Sequence, residues 1–365
     1  MQTRWYFSMQ HIALIGCGRV ASHIAQFLEQ GMRGVQVIHV CDIVTERADA
    51  MALRLGTHAV YDMSEVLQNP DVTTVLILTE SGNHGTHARE ALLAGKHVIV
   101  EKPIGLIPDE VIENERIARE KNLLYAAIKQ NRFNPAIEQL KKTSDAGRFG
   151  KLVLGSIRLI WCRPQAYYED GWHGTWAMDG GVISQQAIHH IDALQWICGP
   201  ITEVVSAQTN ALNRLEAEDT TVALVRFQNG GLGTIEATTA ARPTDKEASI
   251  TIVGEKGMAQ IGGVALNNIT QWEFTEPHPE DQNTQKHYSQ EVPNGYGLSH
   301  GPLLQEIFDR LNRGNIIPPI TALDALSSVR IVHALYKSAE EHRWVTVDEQ
   351  VRSARLGNPS TRATV

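Results

Sequence analysis

The chain has 365 residues, of which 42% are apolar and 20% charged, with a formal net charge of −8. That length suits two domains with ordinary cores, and the acidic balance argues against a nucleic-acid surface, which needs clustered Lys and Arg. No apolar run reaches the ~18 residues of a membrane span and the N-terminus lacks a secretory apolar segment, so a cytoplasmic protein is expected.

The aromatic residues Trp5, Tyr6 and Phe7 read as an alternative start or a docking strand. The four cysteines, Cys17, Cys41, Cys162 and Cys198, form no CxxC pair and read as reduced thiols. Residues 11–128 alternate strand and helix patterns. "HIALI" (11–15), "VQVIHVCD" (35–42), "AVY" (59–61), "VTTVLILT" (72–79), "HVIV" (97–100) and "LLYAAI" (123–128) predict strands. Helices are expected over 20–30, 45–55, 84–94 and 108–121. Near-continuous apolar strands alternating with helices predict a parallel sheet covered on both faces, with right-handed crossovers.

From about residue 150 the pattern changes. "KLVLGSIRLIW" (151–161), "ITEVVSAQTN" (201–210), "TTVALVRF" (220–227), "GLGTIEATT" (231–239), "ASITIVG" (248–254) and "ITQWEFT" (269–275) read as strands, mostly without helices between them. "QNGG" (228–231) is a hairpin turn signal. Helical stretches at 135–146, 185–198, 302–313 and 321–341 complete an α+β domain with a large, mostly antiparallel sheet. The tail from about 350 is expected to be loosely held.

"IGCGRVA" (15–21) follows the first strand and opens a helix in the pattern G-x-G-x-x-A. Gly16 makes the turn, Gly18 lets the backbone approach a pyrophosphate, and Ala21 permits close helix packing. The helix that Arg19 and Val20 open then offers N–H groups to phosphates. Asp42, at the end of the second strand, is placed to take ribose hydroxyls and to repel a 2′-phosphate, so NAD is favoured over NADP; Arg47 pulls the other way. Ligands of such sheets sit outside the carboxyl ends of the strands. Thr79, Asn83 and His84 of "TESGNH" (79–84) and Glu101 and Lys102 of "HVIVEKPIG" (97–105) are therefore further cofactor contacts. Pro103 stiffens the turn that holds Lys102.

In "WHGTWAMDGGVISQQAIHHIDALQWICG" (172–199), a Gly-Gly turn leads into a helix on which Gln185, His189 and Asp192 share a face at i, i+4 and i+7. A solvated helix face is one reading; a site for hydride transfer is the other. Taking a hydride from an alcohol carbon leaves a proton that needs a base. Histidine has the right pKa, and a lysine beside a positive nicotinamide ring could have its own lowered. His190 points off the stripe and reads as packing; His87 reads as surface. No carboxylate or cysteine stands at ligand spacing from the histidine pair, so no metal is expected.

With "GCGRVA", "VIVEKPIG" and the "IHHID" helix in hand, residues 10–345 resemble the glucose–fructose oxidoreductase/inositol dehydrogenase family, Gfo/Idh/MocA. "GTHAREALLAGKHVIVEKPIG" (85–105) is the most specific stretch. The resemblance implies an α/β protein: a Rossmann NAD-binding domain over 1–130, and an α+β substrate-binding and oligomerisation domain over 131–365. The open sheet of the second domain often joins homodimers or homotetramers. It also implies a cis Lys102–Pro103 bond, a catalytic or substrate-orienting role for Lys102, and the helix histidine at His189. Polyol-oxidising members usually have aspartate where Gln185 stands. "WHGTWAMDGG" (172–181), "QQAIHHID" (185–192) and "IKQNRFNPAI" (128–137) are instead similar to members that oxidise UDP-N-acetylglucosamine or its uronic acid to the 3-keto sugar. That makes Asn131, Arg132, Arg163, Tyr167, Tyr168, Trp172, Trp176, Gln185 and Gln186 candidate sugar-nucleotide contacts, with aromatic stacking by the loop 161–176 and Arg pairing with phosphate. Asp192 is expected to orient His189 or a substrate hydroxyl. The rival expectations are a polyol or free-sugar dehydrogenase, opposed by Gln185 and "WHGTW", and a non-catalytic NAD sensor, opposed by Lys102 and His189.

Overall fold

The computed structural model describes residues 9–358, so Trp5, Tyr6 and Phe7 lie outside the described residues. The chain forms two compact units: one from the residues up to Ile128 together with His300–Leu326, the other from Lys129–Ser299 together with the residues from Ser327 on.

In the first unit, β1 (Gln10–Ile15), β2 (Val35–Cys41), β3 (His58–Val60), β4 (Thr74–Ile77), β5 (His97–Val100) and β6 (Tyr125–Ala127) pair in the order β3-β2-β1-β4-β5-β6. All five pairings are parallel. Strands β1, β4 and β5 are almost wholly buried because helices cover both faces, which is why they read as unbroken apolar runs. The strand order reverses between β1 and β4, so the carboxyl ends of these two strands form a topological switch point. The helices are α1 (Arg19–Glu29), α2 (Thr45–Leu55), α3 (Met63–Gln68), α4 (His84–Leu93) and α5 (Pro108–Glu120). Helix α5 starts on Pro108 followed by Asp109 and Glu110, residues that suit a helix N-terminus. Helix α3 escaped the sequence reading, being too short to show a period, although Asp62 caps it by accepting from the Ser64 N–H at 2.8 Å.

The second unit begins with α6 (Pro135–Asp145), capped by Asn134. Its sheet comprises β7 (Leu152–Ile160), β8 (Ile201–Thr209), β9 (Thr220–Phe227), β10 (Leu232–Thr238), β11 (Glu247–Gly254), β12 (Gly257–Gly262), β13 (Asn268–Phe274) and β14 (Val345–Thr346). The order is β13-β12-β11-β7-β10-β9-β8-β14. Only the β7–β10 pair is parallel. Strand β9 alternates strictly, with Thr221, Ala223, Val225 and Phe227 buried and Val222 and Leu224 exposed, the mark of a sheet covered on one face. The QNGG turn closes the β9–β10 hairpin, with Phe227 N–H donating to the Gly231 carbonyl at 2.9 Å. Helices α7 (Val182–Gln185), α8 (Ile188–Cys198), α9 (Asp281–Tyr288) and α11 (Ala322–Glu341) complete the helices of this part of the chain, α11 starting in the first unit and crossing the division at Leu326.

Three expectations are corrected. The stretch 302–313 was placed in the second domain, but α10 (His300–Asn312) packs into the first unit. It buries Leu303, Leu304, Ile307 and Phe308, presses Gly301 onto the Phe27 ring of α1, and ties its end to β1 through Asn312 and Gln10. Apolar periodicity shows that a helix covers a sheet, not which sheet. The single helix expected over 185–198 is two: the Ala187 N–H reaches back to the Val182 carbonyl at 2.8 Å and closes α7, and α8 restarts from the Ala187 carbonyl. The tail from 350 is not loose as far as it is described. Val351 and Leu356 are buried, and Ser353 bonds Glu340 at 2.6 Å.

Candidate active site

In the first unit, Gly16 has φ +96°, and a Cβ there would stand 2.7 Å from the backbone of Leu78. Only glycine fits that turn. Gly18 differs: its φ is −76°, and a Cβ would meet nothing within 4 Å. The protein therefore does not itself require glycine at 18; the open space on that side is where a ligand's phosphates would come against the backbone. No side chain caps the α1 N-terminus, so the helix end is not filled by one of its own residues. Arg19 is exposed and Val20 half-buried there. Asp42 Oδ2 accepts the Cys17 N–H and Oδ1 the Val44 N–H, both at 2.8 Å. The carboxylate thus holds the glycine loop against the end of β2. These features fit a dinucleotide. Cys17 and Cys41 are buried free thiols, both pushed up to about 12, chiefly by burial.

At the mouths of β4 and β5 the expected contacts divide. Asn83 is half-buried and bonds Glu80, and Thr79 Oγ1 lies 2.9 Å from His87 Nδ1. His87, read as surface, is half-buried and carries a lowered pKa from burial. His84 is a strut rather than an open contact: it is 1% exposed, with Nδ1 2.6 Å from the Pro103 carbonyl and Nε2 3.0 Å from the Thr79 carbonyl. Burial lowers its pKa. Glu101 is also buried; Oε2 accepts the Lys102 N–H at 2.9 Å and Oε1 lies 3.2 Å from His300 Nε2. The Lys102–Pro103 bond is cis, and Lys102 itself is half-buried.

In the second unit, Asp179 through Leu194 are all buried, which rules out a solvated helix face. Gln185 sits on α7, while His189 and Asp192 sit on α8, so the three do not share one helix as expected. Gln130 Nε2 lies 3.4 Å from His189 Nε2. Asp192 holds Arg132 in a two-point ion pair, Nε–Oδ2 2.8 Å and NH2–Oδ1 2.9 Å, with Lys129 Nζ 3.8 Å away and bonded to Ser328. Arg132 was expected at the substrate, and Asp192 to orient His189 or a substrate hydroxyl; the structure pairs the two with each other, which ties residues 129–132 to α8, where Gln130 lies near His189. Gln130 and Lys129 were missed because nothing marks a polar residue after a short strand as a partner of a helix some 60 residues on. His190 is packed edge-on against Trp161 at 5.9 Å, and burial pushes its pKa down to about 4.

The loop 161–176 is partly committed to packing. Trp161 and Trp176 are buried, and Trp176 meets the Tyr336 ring at 5.0 Å. Arg163 pairs with Asp245 at 3.0 Å and lies over Trp161. Tyr168 bonds Thr239, and Tyr167 accepts from Gln186 at 3.4 Å. Trp172, half-buried, stacks on His173 at 3.5 Å. Asn131 is half-buried. Before α7, Glu218 accepts from the Ile183 N–H at 3.0 Å and the Tyr336 hydroxyl at 3.2 Å, while Tyr336 accepts from the Gly181 N–H. Burial pushes the Glu218 carboxyl up to about 8.

A doubly wound parallel sheet with an open glycine loop, followed by a mostly antiparallel sheet backing a helix histidine, defines an NAD-dependent oxidoreductase. The chain belongs to the Gfo/Idh/MocA oxidoreductase family: its NAD-binding Rossmann fold matches residues 10–128 and its C-terminal alpha/beta domain residues 141–347. The WlbA dehydrogenase of Chromobacterium violaceum, solved with NADH and UDP-GlcNAcA, is 33% identical and superposes with a TM-score of 0.86 over 93% of this chain and 96% of its own. The Bordetella pertussis WlbA dehydrogenase, with the same ligands, is 31% identical at TM-score 0.86, over 93% and 98%. The scyllo-inositol 2-dehydrogenase (NAD(+)) of Bacillus subtilis is 26% identical over 71% of this chain and 75% of its own.

Proposed function

We propose that this protein oxidises the C3 hydroxyl of UDP-N-acetylglucosamine or its uronic acid to the 3-keto sugar nucleotide. The observation that carries the reading is the likeness, over nearly the whole chain, to two dehydrogenases solved with NADH and UDP-GlcNAcA. NAD, when bound, supplies the hydride acceptor. Lys102 holds the hydroxyl oxygen and His189 takes its proton as the C–H bond breaks. Gln185 stands where an acid is usual in polyol-oxidising members and carries no charge. Arg163, Tyr167, Tyr168 and Trp172 are assigned to the nucleotide part of the substrate, as a guanidinium and aromatic rings suit a diphosphate and a uracil. Glycines 16 and 18, Asp42, Thr79 and Asn83 are assigned to NAD. We also propose a homodimer or homotetramer joined through the open face of the second sheet, where Val153, Val222, Leu224 and Leu232 are each at least half exposed.

A second reading, oxidation of a free polyol, draws support from relatives named as inositol 2-dehydrogenases. One experiment separates the two. The protein is incubated with NAD and, in turn, UDP-N-acetylglucosamine, its uronic acid, inositol and glucose, and absorbance at 340 nm is followed, with mass detection of the loss of two hydrogens. The sugar-nucleotide reading expects turnover of a UDP-sugar; turnover of the free polyols alone would refute it.

A further inference from the structure

We propose that His300, the first residue of α10, is a positioning residue for Lys102 that acts through Glu101; this rests on the reading of Lys102 as the group holding the reacting hydroxyl. The connection is short. His300 Nε2 lies 3.2 Å from one oxygen of Glu101, and the other oxygen accepts the Lys102 N–H at 2.9 Å. Glu101 is 3% exposed and His300 1%. An anion that far from water is stable only when a partner matches it.

Among the described residues, four titratable groups bear on Glu101. From its own turn comes Lys102, and from α10 comes His300. His84 of α4 braces the same turn through Pro103, and His23 of α1 packs edge-on against His300 at 4.9 Å. Burial pushes the Glu101 carboxyl up, but the bond and charge of His300, the charge of Lys102 and its N–H outweigh burial and leave the carboxyl below its usual value. Burial and His300 push His23 down to about 4, and burial lowers His84, so both favour the neutral ring. Glu101 is thus a fixed anion beside the lysine, and an adjacent anion raises the pKa of an ammonium. Without His300 the carboxyl takes up a proton more readily, the anion is partly lost, and the pKa of Lys102 falls. A clamp that merely ties α10 to β5 would leave that pKa alone and change only the melting temperature.

The test reads Lys102 directly and needs no substrate. The full chain is reductively methylated with ¹³C-formaldehyde, and the Lys102 resonance, assigned with Lys102→Arg, is followed against pH. Glu101→Gln and His300→Ala should each lower the Lys102 midpoint by about 0.5 unit or more, an amount within the reach of one neighbouring charge. The double variant should shift it no further than either alone, and His300→Gln, which keeps an N–H for Glu101, should restore most of it. In turnover of UDP-N-acetylglucosaminuronic acid with NAD, the pH limb of kcat should move the same way. Unchanged midpoints with lowered melting temperatures would overturn the proposal, as would additive shifts in the double variant. Should His300→Ala fail to fold, a wild-type midpoint in the near-isosteric Glu101→Gln overturns it alone. A Lys102→Ala variant with normal turnover would remove the functional reading while leaving the midpoint shifts standing.

Discussion

Gly16 and Gly18 stand two residues apart in one loop, yet the fold requires only the first while the second is assigned to a ligand, and substituting each with alanine should separate the two roles. At Gly16, alanine must adopt φ +96°, which costs about 1–2 kcal/mol for an L-residue. Its Cβ would also sit 2.7 Å from the carbonyl carbon and oxygen of Leu78 and 2.9 Å from the Thr79 nitrogen, backbone atoms at the end of the central strand β4. Pushing that backbone aside adds about 1–3 kcal/mol. The sum, about 2–5 kcal/mol, should lower the first unit's melting transition by roughly 4–20 °C. At Gly18 the backbone is already ordinary and the space is open. Alanine there gains about 0.4–1 kcal/mol from the unfolded chain, and loses a similar amount as a poor N-cap residue. Stability should therefore hardly change. Affinity for NAD should change, because the methyl group stands where the phosphates approach: losing one charge-assisted bond is worth about 1.5–3 kcal/mol, or roughly a 10- to 150-fold weaker Kd. Differential scanning fluorimetry and NADH titration by calorimetry measure both. A Gly18→Ala protein that binds NADH as the wild type does, or that melts as low as Gly16→Ala, would refute the assignment of this loop to the pyrophosphate.

The remaining predictions are these. Asp42→Ala should weaken NAD selectively and narrow its preference over NADP; a wild type that binds NADP as tightly as NAD refutes the ribose assignment. Lys102→Ala and His189→Ala should each lower kcat on the order of 100-fold or more with folds intact by circular dichroism, and near-normal turnover of either variant removes that residue from the chemistry. Glu218 should make stability fall as pH rises. Its folded pKa of about 8 lies above the unfolded value of 4.5, so the unfolded state loses the proton first, at about 1.4 kcal/mol per pH unit between the two values. Urea titrations from pH 5 to 9 should therefore flatten in Glu218→Gln, and an unchanged slope would show that Glu218 ionises normally. On the acid side His23 and His190, held neutral by burial to about 4, should make stability fall as pH drops below 6.5; His190→Phe should lessen that fall.

How much of this was legible in the sequence depends on the range over which each feature is written. The glycine loop, Asp42 and the Glu-Lys-Pro turn are local signals. Each lies within a strand and the turn after it, and parallel pairing puts the carboxyl ends of all these strands on one side of the sheet whatever their order. Strand β12, which pairs with β11 on one side and β13 on the other, was missed because Gly257 and Gly262 bound it and dilute its apolar pattern. The helix stripe failed for a different reason. An i, i+4, i+7 pattern presumes an unbroken helix, and the break at Ala187 is set by a backbone bond to Val182 that no side chain announces. Burial then changes what the polar residues there do. In water, Asp192 would have been free to orient a neighbour; in a buried segment its charge must be matched, and Arg132 and Lys129 match it. The same logic put His300 beside Glu101. A buried carboxylate needs a partner, and the partner can come from any element that packs there, including a helix that returns from the far end of the chain. Sequence patterns place catalytic groups on strands and turns; the residues that hold those groups in register are chosen by packing across nearly 200 residues, and they are read only once the fold is in view.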